Sequence, residues 1–465
     1  MQHQRRIFIA LGAFFVLVLL FNLRGHAKKA VEGPLRYSGG SLTGEPPNYD
    51  KLREWEKNLP QHNLSLPFPE GKAGRYVKFS NQIKALGWNN VLNEILLCTH
   101  LAYESKRAYV FQDYYWKPEY YPWRITIWPW ESGPHWPQTP INALISGPTA
   151  GGPWDDGDPA PRSVSEAYFD EVCPPEERQI IDTDTIKPEL QDAEGDVILR
   201  RWTQVLGDSP HRCVEVVPGK NDNFPQTFDL WLIGYKRLLS LWPVFQDSPT
   251  SRLFGTAPLV AAAVDRNEYL FLPRGSRPPR YGPHSPYERM LALHIRRGDY
   301  EDACYGLARW NSTFYGWNQL PSHPDKFEPP PGGSWGENTP ENIAFYLEHC
   351  YPNFEKIVEK IRNSKAEYIN NGTGRVLDVM YLLTNADNEW VENFKSVMYA
   401  HGWSTIVTSK DLVLDDEQIG VNMAVDMEIA RKAAVFIGNG WSSFTSNIIH
   451  RRLVDGKEPL ANRFW

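Results

Sequence analysis

The chain has 465 residues, 49 Lys+Arg against 56 Asp+Glu, and a formal net charge of −7. With 42% hydrophobic and 23% charged residues it is too apolar for a disordered protein, and it lacks the basic surplus of a general nucleic-acid binder. The length allows two or three domains, each with its own core. The 18 Trp suit a surface that stacks on sugar rings, and equally ordinary core and loop anchoring.

Arg5 and Arg6 precede an apolar run that extends from Ile7 to Leu23 with one polar residue, Asn22. As a helix, residues 7–23 would reach about 26 Å, near the thickness of a thin bilayer. This predicts a cytosolic tail over 1–6, a signal-anchor transmembrane helix over 7–23 and an ER or Golgi membrane protein of type II with a lumenal body. Secretion after signal cleavage competes, because Gly25-His26-Ala27 offers a small-x-small site. Basic residues flank both ends of the run, so charge does not set the orientation by itself. Three N-x-S/T sequons, at Asn63, Asn311 and Asn371, fit a lumenal body as glycosylation sites. Five cysteines allow two disulfides and one free thiol, and Cys98, inside an apolar helical run, reads as the buried thiol.

Gly33-Pro34, Gly39-Gly40 and Pro46-Pro47 break regular structure, and residues 24–80 read as a stem. From Asn89 to Arg107 the apolar spacing predicts a helix capped by Asn89 or Asn90, followed by a buried strand over Ala108–Phe111. An N-terminal α/β lobe is thus expected over 81–285. Its segment 113–162 is crowded with Tyr, Trp and Pro, and either lines an acceptor cleft or caps the sheet. A strand is expected at Glu268–Leu272. The Pro/Gly cluster around 274–286 marks the boundary with a C-terminal lobe over 286–465, and a second cluster, Pro321–Gly336, reads as a surface insertion.

In the C-terminal lobe, Met290–Ile295 is a predicted strand. Thr339-Pro340 starts a helix that Pro352 breaks, and Phe354–Ile369 resumes it. Strands follow at Val376–Leu383, Trp403–Val407 and Ala434–Ile437, with helices at Asn388–Ala400, Val421–Lys432 and Ser443–Arg451. The alternation predicts a parallel, doubly wound sheet with ligands at the carboxyl ends of its strands.

Two segments carry chemistry. The first strand of this lobe ends in His294-Ile-Arg296-Arg297-Gly-Asp299. Strand parity puts His294 and Arg296 on one face, Ile295 and Arg297 on the other. Two arginines at a strand end need anionic partners, either Asp299 internally or a pyrophosphate, which guanidinium groups grip in bidentate fashion. The second segment, Phe436-Ile-Gly-Asn-Gly-Trp-Ser442-Ser443-Phe444-Thr445, runs from a strand through a glycine turn into a helix. Such a helix start presents free N–H groups and the positive end of a dipole to an anion, and it is equally a plain serine cap.

His-x-Arg-Arg-x-Asp after a strand, with the late Phe-Ile-Gly-Asn-x-x-Ser-Ser-Phe-Thr run, resembles the GDP-fucose-dependent fucosyltransferases, above all the protein O-fucosyltransferases. Gly87-Trp-Asn-Asn90 is similar to the start of the first helix in that family. The likeness covers roughly residues 80–111 and 290–455. It implies a GT-B-like α/β fold of two Rossmann-like lobes with the donor between them, inverting transfer to a hydroxyl of a protein or glycan, and no metal or other cofactor. By resemblance Arg296 holds the leaving diphosphate and Asn90 lies near the fucose and acceptor. His294, Arg297, Asp299, Thr384, Asn385, Asp426, Ser442, Ser443 and Phe444 would form the donor site. The family often has Thr-Asp where this chain has Thr384-Asn385. No catalytic base is found near the first helix, where Glu94, one turn late, is the nearest carboxylate.

Two rival readings stand beside this one. Ile180-Ile181-Asp182-Thr-Asp184 resembles a strand leading to a divalent-metal-binding acidic pair, as in metal-dependent glycosyltransferases. The Trp-rich segment also fits a non-catalytic, membrane-anchored carbohydrate-binding protein.

Overall fold

A computed structural model of the chain describes residues 46–123, 136–272, 285–334, 336–373 and 376–465. The expected tail, membrane span and first part of the stem lie outside the described residues, as does most of the 274–286 cluster. Among the described residues no helix is long and apolar enough to cross a membrane.

The first lobe begins with α1 (Asp50–Lys57) and β1 (Tyr76–Phe79), then α2 (Trp88–Glu104), β2 (Ala108–Phe111), β3 (Val164–Ser165) and α3 (Glu166–Val172). It continues with β4 (Gln179–Asp182), α4 (Gly195–Asp208), β5 (Cys213–Val217) and α5 (Pro258–Asn267). The five strands form one parallel sheet in the order β3-β2-β1-β5-β4. All four residues of β1 are buried, as expected of a central parallel strand covered on both faces. Residues 46–80, expected in the stem, thus supply a helix and the central strand of this sheet. Every second residue of this stretch is not polar enough to mark a strand, and its prolines lie before β1 rather than in it.

The second lobe holds β6 (Met290–Ile295), α6 (Tyr300–Arg309), α7 (Pro340–Cys350), α8 (Phe354–Tyr368), β7 (Val379–Thr384) and α9 (Asn388–Ala400). It ends with β8 (Thr405–Thr408), α10 (Asn422–Lys432), β9 (Val435–Gly438), α11 (Ser443–Val454) and β10 (Asn462–Phe464). Its five parallel strands follow the order β8-β7-β6-β9-β10, a doubly wound sheet. Along β6 the residues alternate. Met290 and Ala292 join the core shared with the first lobe, while Leu291, Leu293 and Ile295 pack with Ile357, Ile361 and Phe394 of α8 and α9. The predicted helices and strands of this lobe are present within a few residues. Glu268–Phe271 is instead a short 3-10 turn that continues α5 and buries Phe271 against Tyr287 and Tyr381, so apolar content there reflects packing rather than pleating.

Disulfides Cys173–Cys213 and Cys304–Cys350 leave Cys98 as a buried free thiol, as the spacing of the five cysteines allows. The two lobes share one continuous apolar core. Helix α11 is the main bridge: Asn447, His450 and Arg451 lie on one face at helical spacing. Asn447 donates to Asn89 Oδ1 at 3.0 Å, His450 meets Ser251 at 2.7 Å, and Arg451 donates to Thr256 at 2.9 Å. Asn267 closes the far side, exchanging hydrogen bonds of 2.7 and 3.0 Å with the backbone of Val413. These polar contacts are buried or partly buried and tie the two lobes together.

Candidate active site

The carboxyl ends of β1 and β6 deliver the two halves of the site. After β6 the chain turns through Gly298, at φ +61°, a left-handed conformation that favours glycine. Arg296 lies just past the end of β6, two residues beyond His294, where parity predicts a shared face. Its guanidinium lies 4.7 Å over the Tyr300 ring and 3.6 Å from Asp299 Oδ1. Its Nε is buried and makes no hydrogen bond among the described residues. A buried guanidinium N–H without an acceptor is costly, which is the state expected of a group shaped for an anion.

His294 joins this strand end to α11. Its Nδ1 is 3.0 Å from Thr445 Oγ1 and its ring lies 4.9 Å from that of Phe444. Its backbone oxygen accepts from the Trp465 indole at 2.9 Å. Burial, reinforced by neighbouring Arg296, pushes the imidazole down to about 3, so it is neutral at physiological pH. The Tyr300 hydroxyl forms a second link, 3.4 Å from Asn439 Oδ1. Burial raises that hydroxyl to about 12 despite the opposing pull of Arg296.

The Gly438-Asn439-Gly440 turn is a close-approach turn. A Cβ on Gly438 would meet Thr445, and one on Gly440 would enter the Phe314 ring. Asn439 fixes it by donating to Cys350 O at 2.8 Å and accepting from Trp441 N–H at 3.0 Å. Ser442 is the N-cap residue, without a side-chain cap bond, and the first intrahelical bond runs from Ser446 N–H to Ser442 O. The amides of Ser443, Phe444 and Thr445 therefore precede the intrahelical ladder. Ser442, Ser443 and Phe444 are partly exposed, whereas Thr445 is buried against His294.

Across the cleft, α2 begins at Trp88 with Gly87 as its cap, one or two residues before the predicted Asn89 or Asn90. Asn90 is partly exposed in the first turn, and its neighbour Asn89 is the residue bonded to Asn447 of α11. The first turn of α2 therefore meets the second turn of α11. From Trp88 a chain of rings, Tyr114, Trp116, Tyr121 and Trp123, runs at centroid spacings of 5.1–5.6 Å. Most of these rings are buried, so this part of the aromatic segment caps the lobe.

One donor-site expectation changes, for Arg297, and three open readings, of Asp299, Glu94 and the Asp182/Asp184 pair, gain a geometric answer. Arg297 does not face the cleft with Arg296. It is buried between Tyr351 and Trp390, at 4.5 and 5.0 Å, and donates to Pro352 O at 2.5 Å. Its place on the opposite face follows from strand parity. Asp299 partners Arg296, not Arg297. Glu94 is fully buried and accepts from Ile83 N–H at 2.8 Å, holding the loop before α2 rather than facing the cleft. Asp182 and Asp184 are committed to backbone: Asp182 accepts from Asp184 N–H at 2.8 Å, and Asp184 from Asn221 N–H at 2.9 Å. Among the described residues no three His, Cys, Asp or Glu side chains gather as a metal would need.

The remaining predicted residues lie along the strand ends. Thr384 Oγ1 accepts from Ala386 N–H at 3.1 Å. Asn385 accepts from Arg297 N–H at 2.7 Å and donates to Arg297 O at 2.9 Å and Asp299 Oδ1 at 3.1 Å. Asp426 sits within α10, accepting from Tyr381 at 2.5 Å and Ser409 at 2.8 Å. Burial raises it to about 6 against these two hydrogen bonds. Of the sequons, Asn63 and Asn371 are exposed and Asn311 is half-buried. Tyr300, Asn439 and Thr445 were not singled out from the sequence. All three lie inside or beside the two motifs, so their position was the available signal.

Together these features define a two-lobed α/β protein in which Arg296 and the first turn of α11 lie together at the carboxyl end of the second sheet. No family model matches the chain, and no curated protein matches it in sequence. Solved structures similar to it include POFUT1 in complex with GDP-fucose, at 13% identity over 81% of this chain and 94% of that one, TM-score 0.46. NodZ alpha-1,6-fucosyltransferase soaked with GDP-fucose is similar at 12% identity over 82% and 92%, TM-score 0.38. A mutant FUT1 of Arabidopsis thaliana in complex with GDP is similar at 15% identity over 88% and 78%, TM-score 0.34.

Glu94 gives a pH test. Burial raises its carboxyl from 4.5 to about 8. The folded state therefore holds this proton where the unfolded chain has lost it, and its contribution to stability, full below pH 4.5, is lost as pH rises to 8. Glu94→Gln should remove that loss, by up to about 1.4 kcal/mol per pH unit in denaturant unfolding across the window. Turnover should persist at pH 7. Loss of turnover with unchanged stability would instead mark Glu94 as the missing base.

Proposed function

We propose that the protein is a GDP-fucose-dependent fucosyltransferase of GT-B-like architecture, moving fucose to a hydroxyl of a protein or glycan with inversion and without a metal. The observation that carries this reading is the juxtaposition of Arg296, with its unpaired Nε, and the first turn of α11, joined through His294 and Thr445. Breaking a glycosyl–phosphate bond places growing negative charge on the diphosphate and positive charge on the sugar. A preorganised guanidinium and a row of helix N-terminal amides stabilise the first without reorganising as the reaction proceeds. Arg296 takes the β-phosphate and departing oxygen, while Ser442, Ser443 and Phe444 take the diphosphate through amides and hydroxyls. Neutral His294 adds no charge of its own beside Arg296. Asp426 and Thr384 line the nucleotide end, and Asn90, at the facing helix start, lies toward sugar and acceptor. The choice of fucose rests on the motif resemblance.

The same reading places the body in the lumen of the ER or Golgi, held to the membrane through residues 7–23. Two disulfides and two exposed sequons, at Asn63 and Asn371, support an oxidising compartment. Glycan removal should then shift the mobility of protein taken from its native membrane, and an unshifted, fully reduced protein would contradict the lumenal assignment.

Arg296→Ala should lower GDP-fucose turnover on the order of 10²–10³-fold while leaving the melting temperature near wild type. In thermal-shift measurements GDP should stabilise the protein more than UDP or ADP. Stabilisation by UDP alone would overturn the fucosyl assignment.

A further inference from the structure

Resting on that reading of Arg296, we propose that Asn385 is a positioning residue: its carboxamide clamps the Arg297–Asp299 turn and so aims Arg296 at the departing diphosphate. Its three hydrogen-bonding contacts carry the inference. Oδ1 accepts the Arg297 N–H at 2.7 Å, and Nδ2 divides its two hydrogens between Arg297 O at 2.9 Å and Asp299 Oδ1 at 3.1 Å. The pattern fixes which end of the amide is oxygen, because only an acceptor can face the Arg297 N–H. Asp299, held this way, is the carboxylate 3.6 Å from the Arg296 guanidinium. Arg296 is thus held from both sides, through its own following peptide and through its ionic neighbour. The turn passes through Gly298 at φ +61°, and glycine does not itself stiffen it, so the carboxamide contacts are what tie Asp299 to Arg297.

An aspartate cannot do this. It would keep the acceptor role toward Arg297 N–H but lose both donations, and it would set a second carboxylate against Asp299 and the Arg297 carbonyl. Arg297 does not substitute for the clamp, since its side chain is committed on the other face between Tyr351 and Trp390.

The test measures donor turnover, GDP affinity and melting temperature for Asn385→Asp, Asn385→Ala, Asn385→Asp/Asp299→Asn and Arg296→Ala, all in the full-length protein. Asn385→Asp should lose kcat on the order of 10–100-fold, with KM, GDP affinity and melting temperature changed far less. The double variant returns one donor across the 385–299 contact while removing the Asp299 carboxylate beside Arg296, so it should recover only a small part of that loss, which a general folding defect would not allow. Asn385→Ala removes the clamp without adding charge, and it should show a smaller kcat loss should Asn385→Asp fold poorly. Wild-type kcat in both single variants beside an inactive Arg296→Ala would overturn the clamp alone. Full turnover in Arg296→Ala would overturn the donor-site reading itself. A kcat loss that only tracks lost folding, with no recovery in the double variant, would also overturn the clamp.

Discussion

The 3.0 Å contact between His294 and Thr445 holds the tip of β6 against the first turn of α11, and the site depends on it. Without it the guanidinium and the helix amides would be two unrelated features of neighbouring elements. With it they are tied together at the carboxyl end of one sheet. Burial keeps the imidazole neutral, so the contact adds no charge to compete with Arg296.

Helix α11 makes this arrangement rigid. Its N-terminal turn faces the cleft, and its middle is bolted to the first lobe by Asn447, His450 and Arg451. Farther along, Arg452 is fully buried and donates to the oxygens of Ala430, Ala433, Ala434 and Ala461 beneath the sheet. One helix therefore supplies the amides and bridges the lobes. Electrostatic stabilisation of a leaving group gains most from such preorganisation, because donors already in place need not be ordered as charge develops.

Much of this was legible in the sequence, and the reasons are specific. Period-two alternation along β6 put Arg296 and Arg297 on opposite faces, which is where the structure has them. The second lobe could be read because its strands are near-continuous apolar runs separated by capped helices. The first lobe was harder: β3 has two residues, β10 in the second lobe has three, and such lengths carry no periodic signal. Residues 46–80 were hidden by the prolines and glycines preceding β1. Side-chain partnerships were the least legible. Asn385 stood out only as a departure from the family's aspartate, because sequence position shows residue type but not donor count. Asp182 and Asp184 left a metal-pair reading open as a rival, because bonds to backbone leave no trace in spacing.

The central claim concerns where a diphosphate sits, so a crystal structure of the protein with GDP tests it most directly. The account predicts β-phosphate oxygens bridging the Arg296 guanidinium and the backbone N–H groups of Ser443 and Phe444. A nucleotide bound elsewhere, or one whose phosphates leave Arg296 paired only with Asp299, would contradict it.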